Sequence, residues 1–153
     1  SMLMIAEFDP VHPERLISEP KCLSRPLYGF ENTERTINNE GPYAFYYHNK
    51  IYLAYSGGDA RGYLYAIGML TANDGDDLCD LSVWEKAKTP IASFATIPGE
   101  YGPGHNSFFW DRDQNLWIAY HAVTSFEEKI VSSGMRRVYF EQDKTPRFDV
   151  IVE

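Results

Sequence analysis

The chain has 153 residues, 44% of them hydrophobic, which fits one ordinary globular domain. Its 14 Lys and Arg against 22 Asp and Glu leave a formal charge of −8, so the basic stripe of a nucleic-acid binder is absent. No apolar run approaches the ~20 residues of a membrane-spanning helix, so neither nucleic acid nor a membrane is an expected partner. Cys22 and Cys79 stand far apart, which implies neither a disulfide framework nor a metal motif. No basic stretch followed by an apolar run reads as a secretory leader, and localisation stays open between a cytoplasmic and a truncated secreted protein.

In chain order, Leu3 to Phe8 reads as a short apolar strand, and Asp9 to Pro20, with three prolines, as a loop with an extended piece at Leu16 and Ile17. Lys21 to Asn38 reads as mostly irregular. Tyr43 to Tyr47 and Ile51 to Tyr55 read as strands joined at His48-Asn49-Lys50, and Tyr63 to Thr71 as the next strand. Asp74, Asp76, Asp77 and Asp80 crowd the following loop, but without the ligand spacing and closing glutamate of a calcium loop. Ser82 to Ala87 reads as a helical turn or irregular, and Pro90 to Thr96 as an edge strand. A second hairpin spans Ser107 to Ala122, and Arg136 to Glu141 with Arg147 to Val152 reads as a last strand pair. No segment sustains a 3.6-residue apolar period over three turns, so the expected class is all-β with short strands. An aromatic content of 15% suits pleated surfaces.

Two stretches repeat one another. Ile51-Tyr52-Leu53-Ala54-Tyr55 matches Leu116-Trp117-Ile118-Ala119-Tyr120 position by position. Ahead of the paired strands stand Asn39-Glu40-Gly41-Pro42 and Gly102-Pro103-Gly104-His105-Asn106-Ser107. A hairpin repeated at this spacing is the sequence signature of a β-propeller. About two to three four-stranded blades fit the length, fewer than the four needed for closure.

The rare polar residues cluster at one end of these aromatic strands. Pro42 fixes its own φ and biases Gly41, holding the backbone rigid beside Glu40, a placement suited to a general acid. Glycines around Pro103 let the backbone approach a ligand, where His105 and Asn106 can bond hydroxyls or hold a cation through water. His121 ends the paired strand and belongs to the same rim or is simply half-exposed. Of Arg136 and Arg137, one is expected to pair on the acidic surface and the other to meet an inward carboxylate. Each has a plainer reading: a loop glutamate, a strand-entry histidine, a surface ion pair.

Taken in order, Asn39-Glu40-Gly41-Pro42, Tyr52-Leu53-Ala54-Tyr55-Ser56, Gly102-Pro103-Gly104-His105-Asn106-Ser107, Tyr120-His121-Ala122 and Arg137 with Phe140, Asp143 and Pro146 resemble glycoside hydrolase family 43. These are five-bladed β-propeller enzymes that include arabinofuranosidases, β-xylosidases and arabinanases. The resemblance implies an all-β, partial five-bladed propeller in which residues 1–153 form the C-terminal part, with the N-terminal blades absent. It implies that Glu40 protonates the leaving glycosidic oxygen, that His105 lies at the pocket floor and binds substrate with Asn106, and that an arginine supports the acid or the sugar, Arg137 by order with Arg136 as the alternative. No cofactor is required, although several family members hold a water or a calcium ion at the histidine. An inverting family enzyme also needs a base aspartate and a second aspartate tuning the acid. Both map to a region this chain does not contain, and Asp9 takes neither role. The expected substrate is an arabinosyl or xylosyl linkage in a plant carbohydrate, and the isolated chain is expected to hydrolyse little. The alternatives are a sugar-binding fragment without turnover and a half-propeller that self-associates or meets a complementary N-terminal half.

Overall fold

The computed structural model describes residues 1–125, 127 and 130–149. Among them every extended element sits in an antiparallel sheet, and the only helices are short 3₁₀ turns at Gly29–Glu31 and Leu81–Val83. Strands β1 (Leu3–Ile5) and β2 (Lys21–Ser24) form a small ribbon, and β3 (Asn32–Thr33) and β4 (Thr36–Ile37) a tight hairpin. The first blade-like sheet has β5 (Asn39–Tyr47), β6 (Lys50–Gly57), β7 (Ala66–Asn73) and β8 (Glu85–Lys86) in chain order. The second has β9 (Tyr101–Trp110), β10 (Leu116–Ser125) and β11 (Ile130–Arg137), again in chain order. Short strands β12 (Tyr139–Phe140) and β13 (Pro146–Arg147) pair beyond it.

Local chemistry explains the turns. His48 and Asn49 both take positive φ, 45° and 62°, between paired Tyr47 and Lys50, as a two-residue hairpin turn of matching twist requires. The β9–β10 turn closes on Asp111. Its carboxylate accepts the Asp113 and Asn115 amides and, at 2.8 Å, the Trp117 indole N–H. These bonds hold it well below the ordinary carboxylate range, at about 2, with the Trp117 bond the largest cause. The aspartate-rich loop serves turns in the same way: Asp76 accepts the Asn73 amide, Asp77 the Cys79 amide, and Asp80 caps the second 3₁₀ turn.

The two sheets enclose one apolar core that includes Phe45, Tyr52, Ile67, Met69, Phe108, Ile118, Tyr120 and Phe148. The rings of Phe45 on β5 and Phe108 on β9 lie 4.5 Å apart and lock the two first strands together.

The aligned halves of the repeat are structurally equivalent, and each carries the same irregularity. In the first, Glu40 pairs with Ser56 and Tyr43 with Ala54, which leaves Gly41 and Pro42 opposite Tyr55 alone. In the second, Gly104 pairs with His121 and Ser107 with Ala119, which leaves His105 and Asn106 opposite Tyr120. Both are β-bulges, and their first residues take φ of 55° (Gly41) and 50° (His105). Glu40 therefore corresponds to Gly104, and His105 to Gly41: the two polar residues are offset by one position across the repeat.

Several local expectations need correction. Lys21 to Asn38 is not mostly irregular but contains β2, a 3₁₀ turn and the β3–β4 hairpin, whose turn residues Glu34 and Arg35 take positive φ without the usual glycine or asparagine. The strand placed at Tyr63 begins only at Ala66, because the backbone before it is taken up in turn bonds, Tyr65 N–H to Gly62 O, and in the Gly102 N–H bond to Tyr63 O. Pro90 to Thr96 makes one bridge, Ala92 to Ile67, and then turns through the Ser93–Thr96 bonds. Arg136 and Arg137 belong to β11, a full partner of β10, and not to a final strand pair. Residues 150–152 of that pair lie outside the described residues.

Candidate active site

Glu40 and His105 meet at one hydroxyl. Tyr65 donates to Glu40 Oε1 at 2.7 Å and lies 3.2 Å from His105 Nδ1. Tyr65 is fully buried, so its ring is a rigid mount while its tip reaches a half-buried carboxylate and an exposed imidazole. Desolvation pushes the Tyr65 phenol far above its ordinary value, and the Glu40 carboxylate adds to that, so the hydroxyl stays a donor across the working pH range.

The backbone around this point is built for close approach. His105 N–H donates to Ser56 Oγ at 2.8 Å, which ties the second bulge to the residue paired with Glu40. Gly41 holds a φ of 55°, which favours glycine, and even a Cβ there would only reach ordinary contact, 3.4 Å, with the His105 ring, so the two bulges lie packed against one another. A Cβ on Gly104 would fall 1.9 Å from Tyr65 Cε1, so the Tyr65 ring passes where any other side chain would stand. His105 itself holds a positive φ at a non-glycine position, a strain that surrounding contacts must maintain.

His121 completes the group. Its ring stacks on Tyr65 at 5.6 Å and 6°, and lies 6.1 Å from that of His105. Burial depresses its pKa and the neighbouring His105 adds to the effect, while the Glu40 charge opposes them. Below the ordinary histidine value of ~6.5 the unfolded chain takes up a proton that the folded site resists. The His121 contribution to stability is therefore lost as pH falls through that range.

The other expected site residues lie apart. Arg137 is exposed, hydrogen-bonded to Asn115 Oδ1, and its guanidinium stands 5.1 Å from the centre of the Tyr139 ring. Its pairing with Trp117 places it at the Asp111–Asn115 end of the sheet, whereas His121 pairs with Ser133 nearer the other end. The structure does not bring it to Glu40. The arginine that meets a carboxylate is Arg136, 2.8 Å from Glu100. Asn106 is buried in the bulge, and neither its amide oxygen nor its nitrogen has a hydrogen-bond partner among the described residues. Asp9 accepts the amides of Val11 and His12 within its own loop.

Calcium prefers six to eight oxygen ligands. Around His105 the described residues offer an imidazole, one carboxylate, the Tyr65 and Ser56 hydroxyls and the neighbouring Asn106 amide oxygen, so an ion there would take most of its oxygen ligands from water. Sequence reasoning missed Tyr65 and the role of Ser56. Ser56 was legible, because it follows Tyr55 as His121 follows Tyr120. Tyr65 carried no signal beyond that of an apolar strand residue.

The family model for glycosyl hydrolases family 43 matches residues 3–146. An extracellular exo-α-(1→5)-L-arabinofuranosidase of Streptomyces avermitilis is 29% identical over 149 residues, covering 92% of this chain and 31% of that protein. A protein of the same name from Streptomyces chartreusis is 38% identical over 101 residues, covering 65% of this chain and 30% of its own length. The chain thus spans about a third of the curated relatives it matches. The crystal structure of an α-L-arabinofuranosidase from Lactobacillus brevis superposes with a TM-score of 0.82 at 29% identity, covering 96% of this chain and 46% of that one. The expected partial-propeller architecture agrees with this likeness. With the family pattern matched over residues 3–146, nearly the whole chain, the chain belongs to glycosyl hydrolases family 43.

Proposed function

We propose that this chain supplies the proton-donating side of a glycosidase site acting on arabinosyl linkages, with Glu40 as the general acid. The observation that carries the reading is the meeting of Glu40 and His105 at the Tyr65 hydroxyl within a family 43 chain. In the reaction the glycosidic C–O bond breaks as the Glu40 proton passes to the departing oxygen. Water adds to the anomeric carbon and gives up a proton to a second carboxylate, the inverting arrangement of two carboxyls spaced to admit water. Glu40 is the first of these, and no residue of this chain is assigned as the second. His105 and the unpartnered Asn106 amide are proposed to bond sugar hydroxyls, with Tyr65 and Ser56 fixing the acid and the imidazole.

An arabinosyl substrate is favoured over a xylosyl one by the names of the relatives matched in sequence. Calorimetry with α-(1→5)-linked arabino-oligosaccharides and with xylo-oligosaccharides, run beside an aryl-glycoside assay, tests the reading. The expected result is preferential binding of the arabinosyl ligand with slow turnover. Binding with no turnover would support a sugar-binding module instead, and failure to bind either sugar would overturn both readings.

A further inference from the structure

We infer that Tyr55–Glu31–Lys86 and Tyr120–Glu100–Arg136 are two copies of one positioning clamp, each fixing the bulge that presents a site residue. Tyr55 and Tyr120 are equivalent in the repeat, and each stands opposite a bulge, that of Gly41-Pro42 or that of His105-Asn106. Each ring lies across a glycine paired with it on the third strand of its sheet. A Cβ on Gly68 would come within 2.4 Å of Tyr55 Cζ, and one on Gly134 within 2.6 Å of Tyr120 Cζ. Each hydroxyl then reaches a glutamate: Tyr55 donates to Glu31 at 2.7 Å and Tyr120 to Glu100 at 2.5 Å. Each glutamate is paired with a cation from a later strand, Lys86 of β8 at 2.5 Å and Arg136 of β11 at 2.8 Å. Ring, glycine, carboxylate and cation thus recur as a set.

Both clamps connect to the site through the chain. Glu31 Oε1 also accepts the Asn39 side-chain amide at 2.8 Å, and Asn39 immediately precedes Glu40. Glu100 immediately precedes Tyr101, the first residue of the strand that carries His105. Gly41 and His105 hold left-handed backbone that an open strand would relax, and a partner tyrosine anchored at both ends prevents that relaxation. Glu31 and Glu100 touch neither Glu40 nor His105 in the hydrogen-bond network, so they and the tyrosines act as positioning residues.

The variants Tyr55→Phe and Tyr120→Phe test the inference, since each keeps the ring across its glycine and removes only the hydroxyl. Phe148→Leu, a core change packed on Phe108 and outside both hydrogen-bonded sets, controls for general loss of stability. Amide exchange and side-chain NMR signals are the readouts. Tyr55→Phe is expected to speed exchange at Gly41 on the order of tenfold and to move the Glu40 carboxyl signal, with little change at His105. Tyr120→Phe is expected to do the same at His105, whose amide holds Ser56, with little change at Glu40. Equal effects at both bulges in either variant, the same effects in Phe148→Leu, or no change at either bulge would overturn the clamps. The inference deepens the reading of Glu40 and His105 as site residues, but this readout needs no sugar. Arabino-oligosaccharide binding weakened in both variants supports both, whereas shifted bulges with unchanged binding support the clamps and count against the proposed site.

Discussion

Replacing Glu40 by glutamine is expected to slow hydrolysis of an arabinoside with a sugar or alkyl leaving group by ~10²–10⁴-fold, the usual contribution of a positioned proton donor. The same variant is expected to lose far less on an aryl arabinoside whose phenol is acidic enough to leave without a proton. Glutamine still accepts the Tyr65 hydroxyl bond, so the site geometry is retained while the proton is removed. Reaction with protein in excess over substrate, followed on both leaving groups, measures the two losses on whatever background rate the chain has. Equal losses on the two substrates would show that Glu40 binds or shapes the site without donating a proton.

The second large effect concerns stability. Glu31 is fully buried and accepts five bonds: from the Leu27 and Tyr28 amides, the Asn39 amide group, the Tyr55 hydroxyl and the Lys86 ammonium. Burial alone would raise its pKa, and these donors, Lys86 foremost, bring it below the ordinary glutamate value. Lys86→Met removes the cation and leaves a buried carboxylate uncompensated, a change expected to cost ~3–5 kcal/mol. Chemical denaturation at neutral pH measures this. A depressed native pKa means that stability from Glu31 is present above ~4.3 and is lost as pH falls through the native value. In Lys86→Met the native pKa rises, so less stability is lost on acidification and the deficit against the wild type should narrow as pH falls below ~4.3. The double variant Glu31→Gln, Lys86→Met should recover part of the deficit, since no charge then remains buried. A Lys86→Met protein as stable as the wild type would show that the carboxylate is solvated.

How much of this was legible follows from particular residues. The return strands of the repeat were, because Ala54 and Ala119, Tyr55 and Tyr120 hold equivalent places in periodic apolar strands. The one-residue offset between Glu40 and His105 was not, since a bulge changes register without an unusual residue at His105. β11 was hidden because residues 130–135 show no apolar alternation that marks a strand, and Gly134 is there to admit the Tyr120 ring. The family motifs located Glu40 and His105 but not Tyr65, whose role depends on a contact between positions 40 and 105 that periodicity does not encode. Arg137 was preferred over Arg136 from motif order, and along β11 the two alternate, Arg136 turning to Glu100 and Arg137 to the solvent-exposed turn at Asn115.

The central claim is that Glu40, His105 and their Tyr65 mount form one sugar-binding acid site. Titration of the isotopically labelled chain with an α-(1→5)-linked arabino-oligosaccharide, followed by NMR, tests it most directly. The Glu40 carboxyl signal and the imidazole signals of His105 and His121 should move together along one saturating curve, while Arg137 and Trp110 stay fixed. Saturable shifts confined to other residues, with these three groups unmoved, would contradict it.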